Sequence, residues 1–336
     1  MAIKIAFMGF RHAHIFDLYP RAKDSSDYDV VAACEEDAET RRQLLDSGKA
    51  DITFDSYEKM LSEVDCDVIA VGDHFGKRGE IIIEALERGK HVLSDKPICI
   101  DLAQLEKIEA LSAAKGLKVG CMLDMRDSGL FIRMKEIVRS GKIGEVHAIS
   151  VGGQHPLMPG TRPSWYFEKG KHGGSINDIA IHAFDAIPWI TGLEFAEVTA
   201  ARSWNAFAPE FPHFHDAGQF MLKMNNGCGV LGDVSYFAPD VLGYKLDFYW
   251  RMTIFGREGV AETNWNAKGV TVVGRNSETV EMVSACPGVP GGYLKAFARH
   301  IAGEDSPLTT EDTFKASRIG LITQKAGFEN LSHVTL

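Results

Sequence analysis

Ile3-Lys4-Ile5-Ala6-Phe7-Met8-Gly9-Phe10-Arg11-His12-Ala13-His14 decides the fold. A short apolar run ends in a glycine, and a polar turn leads on toward a helix-like stretch. Similar runs recur at Asp29 to Cys34, Asp67 to Val71, His91 to Ser94 and Lys118 to Leu123, with helix-like segments between them. Parallel strands need a crossover between neighbours, so this alternation predicts a parallel sheet covered by helices. The best-marked helix lies between the last two runs. Asp101 caps it, Gln104 completes a capping-box pattern, Leu102, Leu105, Ile108 and Leu111 recur at helical spacing, and Gly116 ends it.

Beyond Leu123 the texture changes. A helix from Gly129 to Ser140 and a strand from Glu145 to Val151 precede a loop rich in Gly and Pro. Strands then follow in series: Asp216 to Met224, Cys228 to Ser235, Leu246 to Phe255, Val260 to Asn264, Gly269 to Gly274 and Thr279 to Val283. Asn225-Asn226-Gly227 marks a hairpin between the first two. Helices from Gly292 to Ala302 and Thr310 to Asn330 close the chain. The expected fold is α/β: a doubly wound parallel sheet of Rossmann type over residues 1–123, then an α+β domain with a mainly antiparallel open sheet over 124–336. A chain of 336 residues is long enough for two cores.

At the strand ends the first domain carries groups suited to a dinucleotide. Gly9 stands where the opening glycine of such a turn belongs, with Phe10, Arg11 and His12 after it. Arg11 and His14 occupy the other two glycine positions, and a side chain there must point away or touch a phosphate. Glu35 follows the second strand, where an acid can take both ribose hydroxyls of adenosine, and Glu36 adds charge that disfavours a further phosphate. NAD is therefore expected over NADP. The competing reading of Glu35-Glu36-Asp37 is a solvated acidic opening of a helix. Gly72-Asp73-His74 lies at the carboxyl end of the third strand and Asp95-Lys96-Pro97 at that of the fourth, the edge along which such sheets bind ligands.

In the second half, Gly173-Gly174-Ser175-Ile176-Asn177-Asp178-Ile179-Ala180-Ile181-His182-Ala183-Phe184-Asp185 sets Asp178, His182 and Asp185 at i, i+4 and i+7, one face of an expected helix. Carboxylates on that face can hold an imidazole in one tautomer for proton transfer near neutral pH. Arg126, Gln154, His155, Arg162, Trp165 and Tyr166 lie in segments leading to this helix and are candidates to contact hydroxyls or a carboxylate. Trp165 and Tyr166 are equally readable as core aromatics. His213-x-His215-Asp216 has the alternation of a strand-borne metal site but no evident further ligand, so no metal is expected.

Lys96-Pro97 after the fourth strand, with Gly-Gly-x-x-x-Asp-x-x-x-His-x-x-Asp in the second half, resembles the Gfo/Idh/MocA oxidoreductases over nearly the whole chain. The resemblance implies a Rossmann domain for NAD(P), a second domain with an open sheet used in homodimers or homotetramers, and sugar, inositol or polyol substrates. It maps the family's catalytic Lys, Asp and His onto Lys96, Asp178 and His182. Asp95 replaces the usual Glu, and two turn glycines are absent. The resemblance also covers NAD-retaining glycoside hydrolases and sugar-sensing regulatory proteins. The three retained catalytic positions favour a dehydrogenase acting on CH–OH groups.

Composition sets outer bounds. Lysine and arginine total 36 against 46 acids, and no basic run appears, so nucleic acid and anionic membranes are not expected partners. No stretch approaches a membrane span and no signal peptide is read. Six scattered cysteines, without close pairs, suit reduced thiols in a cytoplasmic protein.

Overall fold

The computed structural model describes residues 2–336, which divide into two compact units. The first comprises the chain up to Met122 with Gly170–Gly173 and Gly291–Ser317; the second comprises Leu123–Lys169, Gly174–Pro290 and Arg318–Leu336.

In the first unit β1 (Ile3–Met8), α1 (Ile15–Asp24), β2 (Tyr28–Cys34), α2 (Ala38–Ser47), α3 (Tyr57–Glu63), β3 (Val68–Val71), α4 (Phe75–Glu87), β4 (His91–Ser94), α5 (Leu102–Lys115) and β5 (Val119–Cys121) follow one another. The strands form one parallel sheet in the order β2-β1-β3-β4-β5. β3 is buried along its whole length, as a strand covered on both faces must be, and its unbroken apolar sequence follows from that. The winding reverses between β1 and β3, which opens a crevice beyond their carboxyl ends, beside Gly9 and Gly72. Asp101 caps α5 by accepting the Gln104 N–H at 3.0 Å. The return half of the capping box is not made: Gln104 Oε1 is buried without a hydrogen-bond partner among the described residues and lies against Gly79.

The second unit contains α6 (Gly129–Arg139), β6 (Val146–Pro156), a π-helical turn Ile176–Ala180, α7 (Ile181–Thr191), β7 (Phe195–Trp204), β8 (Ala217–Met224), β9 (Gly229–Ala238), β10 (Arg251–Gly256), β11 (Gly259–Thr263), β12 (Gly269–Gly274) and β13 (Glu281–Ser284). α8 (Gly292–Ile301) belongs to the first unit, where the Tyr28 hydroxyl donates to the Leu294 carbonyl at 2.8 Å. α9 (Thr310–Glu329) and β14 (Ser332–Thr335) end the chain. The second sheet runs β13-β12-β11-β10-β6-β9-β8-β7-β14 and is antiparallel except where β6 lies parallel to β9. Asn225-Asn226-Gly227 does join β8 to β9, with Gly227 at φ +86°, a left-handed position that suits glycine.

The second sheet differs from expectation in two strand bounds and two added strands above all. β6 continues past Val151 to Pro156 because β9 keeps pairing with it as far as Ala238. β10 begins at Arg251 rather than Leu246, since the preceding residues form turns that end at Trp250, itself at φ +50°. β7 and β14, unmarked by turn signals, pair with each other at the sheet's edge.

Candidate active site

The turn after β1 is stitched to the loop after β3. Gly72 O accepts the Arg11 and His12 N–H groups at 3.0 and 3.2 Å, and a Cβ on Gly9 would stand 2.7 Å from Asp73. Glycine at position 9, with φ +84°, permits that approach. Arg11 turns aside and ion-pairs Asp37 at 3.2 Å. Glu35 points inward: its carboxylate accepts Phe10 N at 2.7 Å and Asp37 N at 2.8 Å, and burial pushes it up to about 7. Asp37 caps α2 by accepting the Thr40 N–H, as an acidic helix opening does. The Asp73 carboxylate accepts from the Tyr57 hydroxyl and from His74 N, so this loop presents chiefly backbone. His74 stands at the start of α4, and burial lowers its imidazole to about 4.

Asp95 is the hub at the end of β4. Arg78 Nη2 donates to it at 2.8 Å, and His12 Nδ1 and His14 Nδ1 lie 2.5 and 3.0 Å from its oxygens. Burial alone would raise this carboxyl, but Arg78, then His12 and His14, hold it well below the usual carboxylate range. Burial pushes His12 down to about 3, so it stands neutral beside an ionised Asp95. His12, His14 and Asp95 are close enough for ligand atoms to meet on one ion. The fixed guanidinium of Arg78 on the same carboxylate disfavours a metal there. Arg78 also donates to the carbonyls of Asp73, Lys96 and Pro97. It thereby sets the backbone from which Lys96, 4 % exposed, projects. Sequence reasoning missed Arg78; a basic residue among the apolar positions of α4 was the available signal.

In the second unit the motif helix begins with the π-turn, which accommodates one residue more per turn than an α-helix. Gly174, at φ +95°, lets the Gln324 side chain approach, and Gln324 Oε1 accepts Ile176 N and Asn177 N. Asp178, in the π-turn, accepts from the Tyr236 hydroxyl. His182, in the first turn of α7, has Nδ1 3.4 Å from Asp124 Oδ1 and its ring edge-on to Trp250 at 4.9 Å. Asp185 receives Arg126 in a forked pair, with contacts of 3.0, 2.8 and 2.6 Å. The motif's carboxylates therefore acquire partners of their own, and an acid from the turn Asp124–Asp127 faces the imidazole. Asp124, Tyr236 and Trp250 were not legible as site residues. Asp124 alone carried a signal, its place just beyond the last parallel strand.

The remaining candidates separate. His155 sits on β6 with Tyr236, Tyr244, Tyr249 and Trp250 around it, the ring centroids no more than 6.0 Å away. Trp165 is fully buried and packs 4.3 Å from Tyr166. Gln154 donates to the Asp233 carbonyl and accepts from Ser235. His215 meets the Ser203 hydroxyl, while Asp216 accepts three backbone N–H groups, from Ala206, Phe207 and Ala208. These two precede β8 rather than alternating along it, and Asp216 is committed to the backbone.

A reversal point between parallel strands and a glycine that admits close approach fit a dinucleotide in the first unit, whereas Glu35, expected to take the ribose hydroxyls, is buried with its carboxylate on the backbone N–H groups of Phe10 and Asp37. The class so defined is an oxidoreductase with an NAD-binding Rossmann domain. Residues 3–122 match the oxidoreductase family with NAD-binding Rossmann fold, and residues 131–262 match the GFO/IDH/MocA C-terminal domain. The chain belongs to the Gfo/Idh/MocA family. It is similar to the uncharacterized oxidoreductase YrbE of Bacillus subtilis, 24% identical over 85% of this chain and 83% of that one. It is also similar to the inositol 2-dehydrogenase/D-chiro-inositol 3-dehydrogenase of Lactiplantibacillus plantarum, 22% identical over 91% and 83%. A putative oxidoreductase structure from Thermotoga maritima shares the fold, with TM-score 0.85, 21% identity and coverage of 99% and 100%.

Proposed function

We propose that this oxidoreductase transfers a hydride between NAD and a secondary alcohol of a sugar, inositol or related polyol. The observation that carries the reading is His182, buried, with the Asp124 carboxylate 3.4 Å from Nδ1, an electrostatic contact outside hydrogen-bonding geometry. An acid there favours the tautomer with hydrogen on Nδ1 and makes Nε2 the basic nitrogen, as removal of an alcohol proton requires. Nicotinamide supplies the hydride acceptor at its C4. Lys96 hydrogen-bonds the alcohol oxygen as it gains alkoxide character. Asp178, fixed by Tyr236, orients the imidazole or binds a neighbouring hydroxyl. In the reverse direction the imidazolium returns the proton to the forming alcohol.

NAD is preferred over NADP in this reading because Glu35, Glu36 and Asp37 crowd the end of β2. The adjacent cations Arg11 and Lys77 are already ion-paired to Asp37 and Glu36. Free thiols at all six cysteines suit a cytoplasmic enzyme. The chain works as a homodimer or homotetramer through the open sheet. A panel of inositols and aldoses, followed by NADH absorbance, tests the activity, and failure of every polyol to reduce either NAD or NADP counts against it.

A further inference from the structure

Arg78 is buried and Arg126 and Arg162 are half-buried, and the three differ in one respect. Arg78 faces Asp95 and Arg126 faces Asp185, each within ion-pairing distance of a carboxylate. Arg162 has no carboxylate within that distance among the described residues. Its Nε donates to the Leu157 carbonyl at 3.2 Å, and its Nη2 to the Pro156 carbonyl at 2.9 Å and the Tyr244 hydroxyl at 3.0 Å. The guanidinium lies over two rings, 5.3 Å from the centre of Tyr166 and 5.2 Å from that of Tyr236. Carbonyls and π-faces offset part of the cost of partly withdrawing this cation from water, but they bring no negative charge to pair with it.

The position of Arg162 gives that charge a use. Tyr236, beneath the guanidinium, is the residue whose hydroxyl donates to Asp178. Tyr244, to which it donates, touches His155, and His155 touches Trp250, the ring against His182. Arg162 thus stands one aromatic ring from Asp178, within the second unit and on the same cluster as the proposed base. Leu157, Pro156 and Tyr244 take the Nε and Nη2 hydrogens and fix the plane of the group, which leaves Nη1 to meet a carboxylate through charge-assisted hydrogen bonds.

We propose that Arg162 anchors a carboxylate on the substrate, so that the preferred alcohol is an acidic sugar, an aldonate or uronate, rather than a neutral polyol. The proposal rests on the assignment of Asp178 and His182 to the substrate site. D-gluconate and D-glucitol, the same carbon chain with and without the acid, provide the test with the intact enzyme. kcat/KM with NAD is expected to favour the gluconate-type acid over its neutral partner by on the order of 10²-fold, the size of a charge-assisted hydrogen-bonded contact. D-galacturonate and D-galactose make a second pair. R162Q is expected to collapse the ratio, and R162K to retain part of it. Equal loss for acid and neutral alcohol in R162Q indicates only a loop brace and overturns the proposal, as does a wild-type preference for neutral alcohols. Calorimetric titration with each acid in the presence of NAD separates the two readings. Acid binding lost in R162Q but without turnover supports the anchor and sinks the dehydrogenase assignment. Turnover of neutral polyols with no acid binding does the reverse. No binding of any acid overturns the anchor outright.

Discussion

Glu35 turns its carboxylate inward to accept the Phe10 N–H at 2.7 Å, so the acid that ends β2 also holds the turn that follows β1. Burial raises this group from 4.5 to about 7. A folded-state value above the unfolded one means that the folded chain binds the additional proton. Its stabilising contribution is complete below about pH 4.5 and is lost as pH rises through about 7. The shift corresponds to about 3 kcal/mol. Denaturant unfolding of wild type and Glu35→Gln at pH 5 and pH 8 should therefore show wild type losing stability relative to the variant at the higher pH. Parallel losses in both proteins would contradict the assignment.

Lys96 and His182 are proposed to act on the same alcohol, and removing either should lower turnover on the order of 10²- to 10⁴-fold with folding retained. Circular dichroism checks the fold, and steady-state kinetics on any active polyol checks the rate. A near-normal rate in Lys96→Ala removes it from the mechanism. Tyr236→Phe deprives the Asp178 carboxylate of its hydroxyl donor and should cost about 1–3 kcal/mol in transition-state stabilisation or stability. A variant indistinguishable from wild type in both would show that Tyr236 does not hold Asp178 in place.

The strands of the first unit and the β8–β9 hairpin were legible because their signals are local: apolar runs between helical spacings, and Asn226-Gly227 between two alternating segments. The π-turn was not legible, because Asp178, His182 and Asp185 read as one helical face whether or not the backbone widens between them. Nor did the spacing show that Asp124 faces His182 or that Arg126 takes Asp185, since both pairs join the turn after β5 to a helix far along the chain. Glu35 was placed correctly at the end of β2, but its rotation toward Phe10 depends on the turn backbone of another loop. His155 could be picked out by type alone; its aromatic surroundings come from β9 and from the turns between β9 and β10.

Arg126 and Asp185 form a nearly dry pair, their side chains 9 % and 1 % exposed. Truncating one partner leaves a buried charge, so Asp185→Ala or Arg126→Ala should destabilise the protein by about 3–5 kcal/mol. Replacing both by apolar residues of similar volume should recover much of that loss. Unfolding midpoints across this double-mutant cycle provide the measurement. If Asp185→Ala instead folds with wild-type stability but has lost activity, Asp185 belongs to the chemistry rather than to the bracing of α7.

One face of the second sheet carries Met221 and Leu231 side by side in register, 45 % and 54 % exposed, with Phe255 and Met282 also outward on their strands. Apolar side chains on a broad open sheet favour association, and the proposed oligomer uses this face. Charges placed there must be desolvated when two copies meet, whereas in a monomer they remain in water at little cost. Met221→Asp with Leu231→Asp should therefore shift the sedimentation distribution toward the monomer while leaving the unfolding midpoint of the monomer within about 1 kcal/mol of wild type. An unchanged oligomer in that double variant would move the interface to another surface; a wild-type protein that sediments as a monomer throughout the micromolar range would remove it.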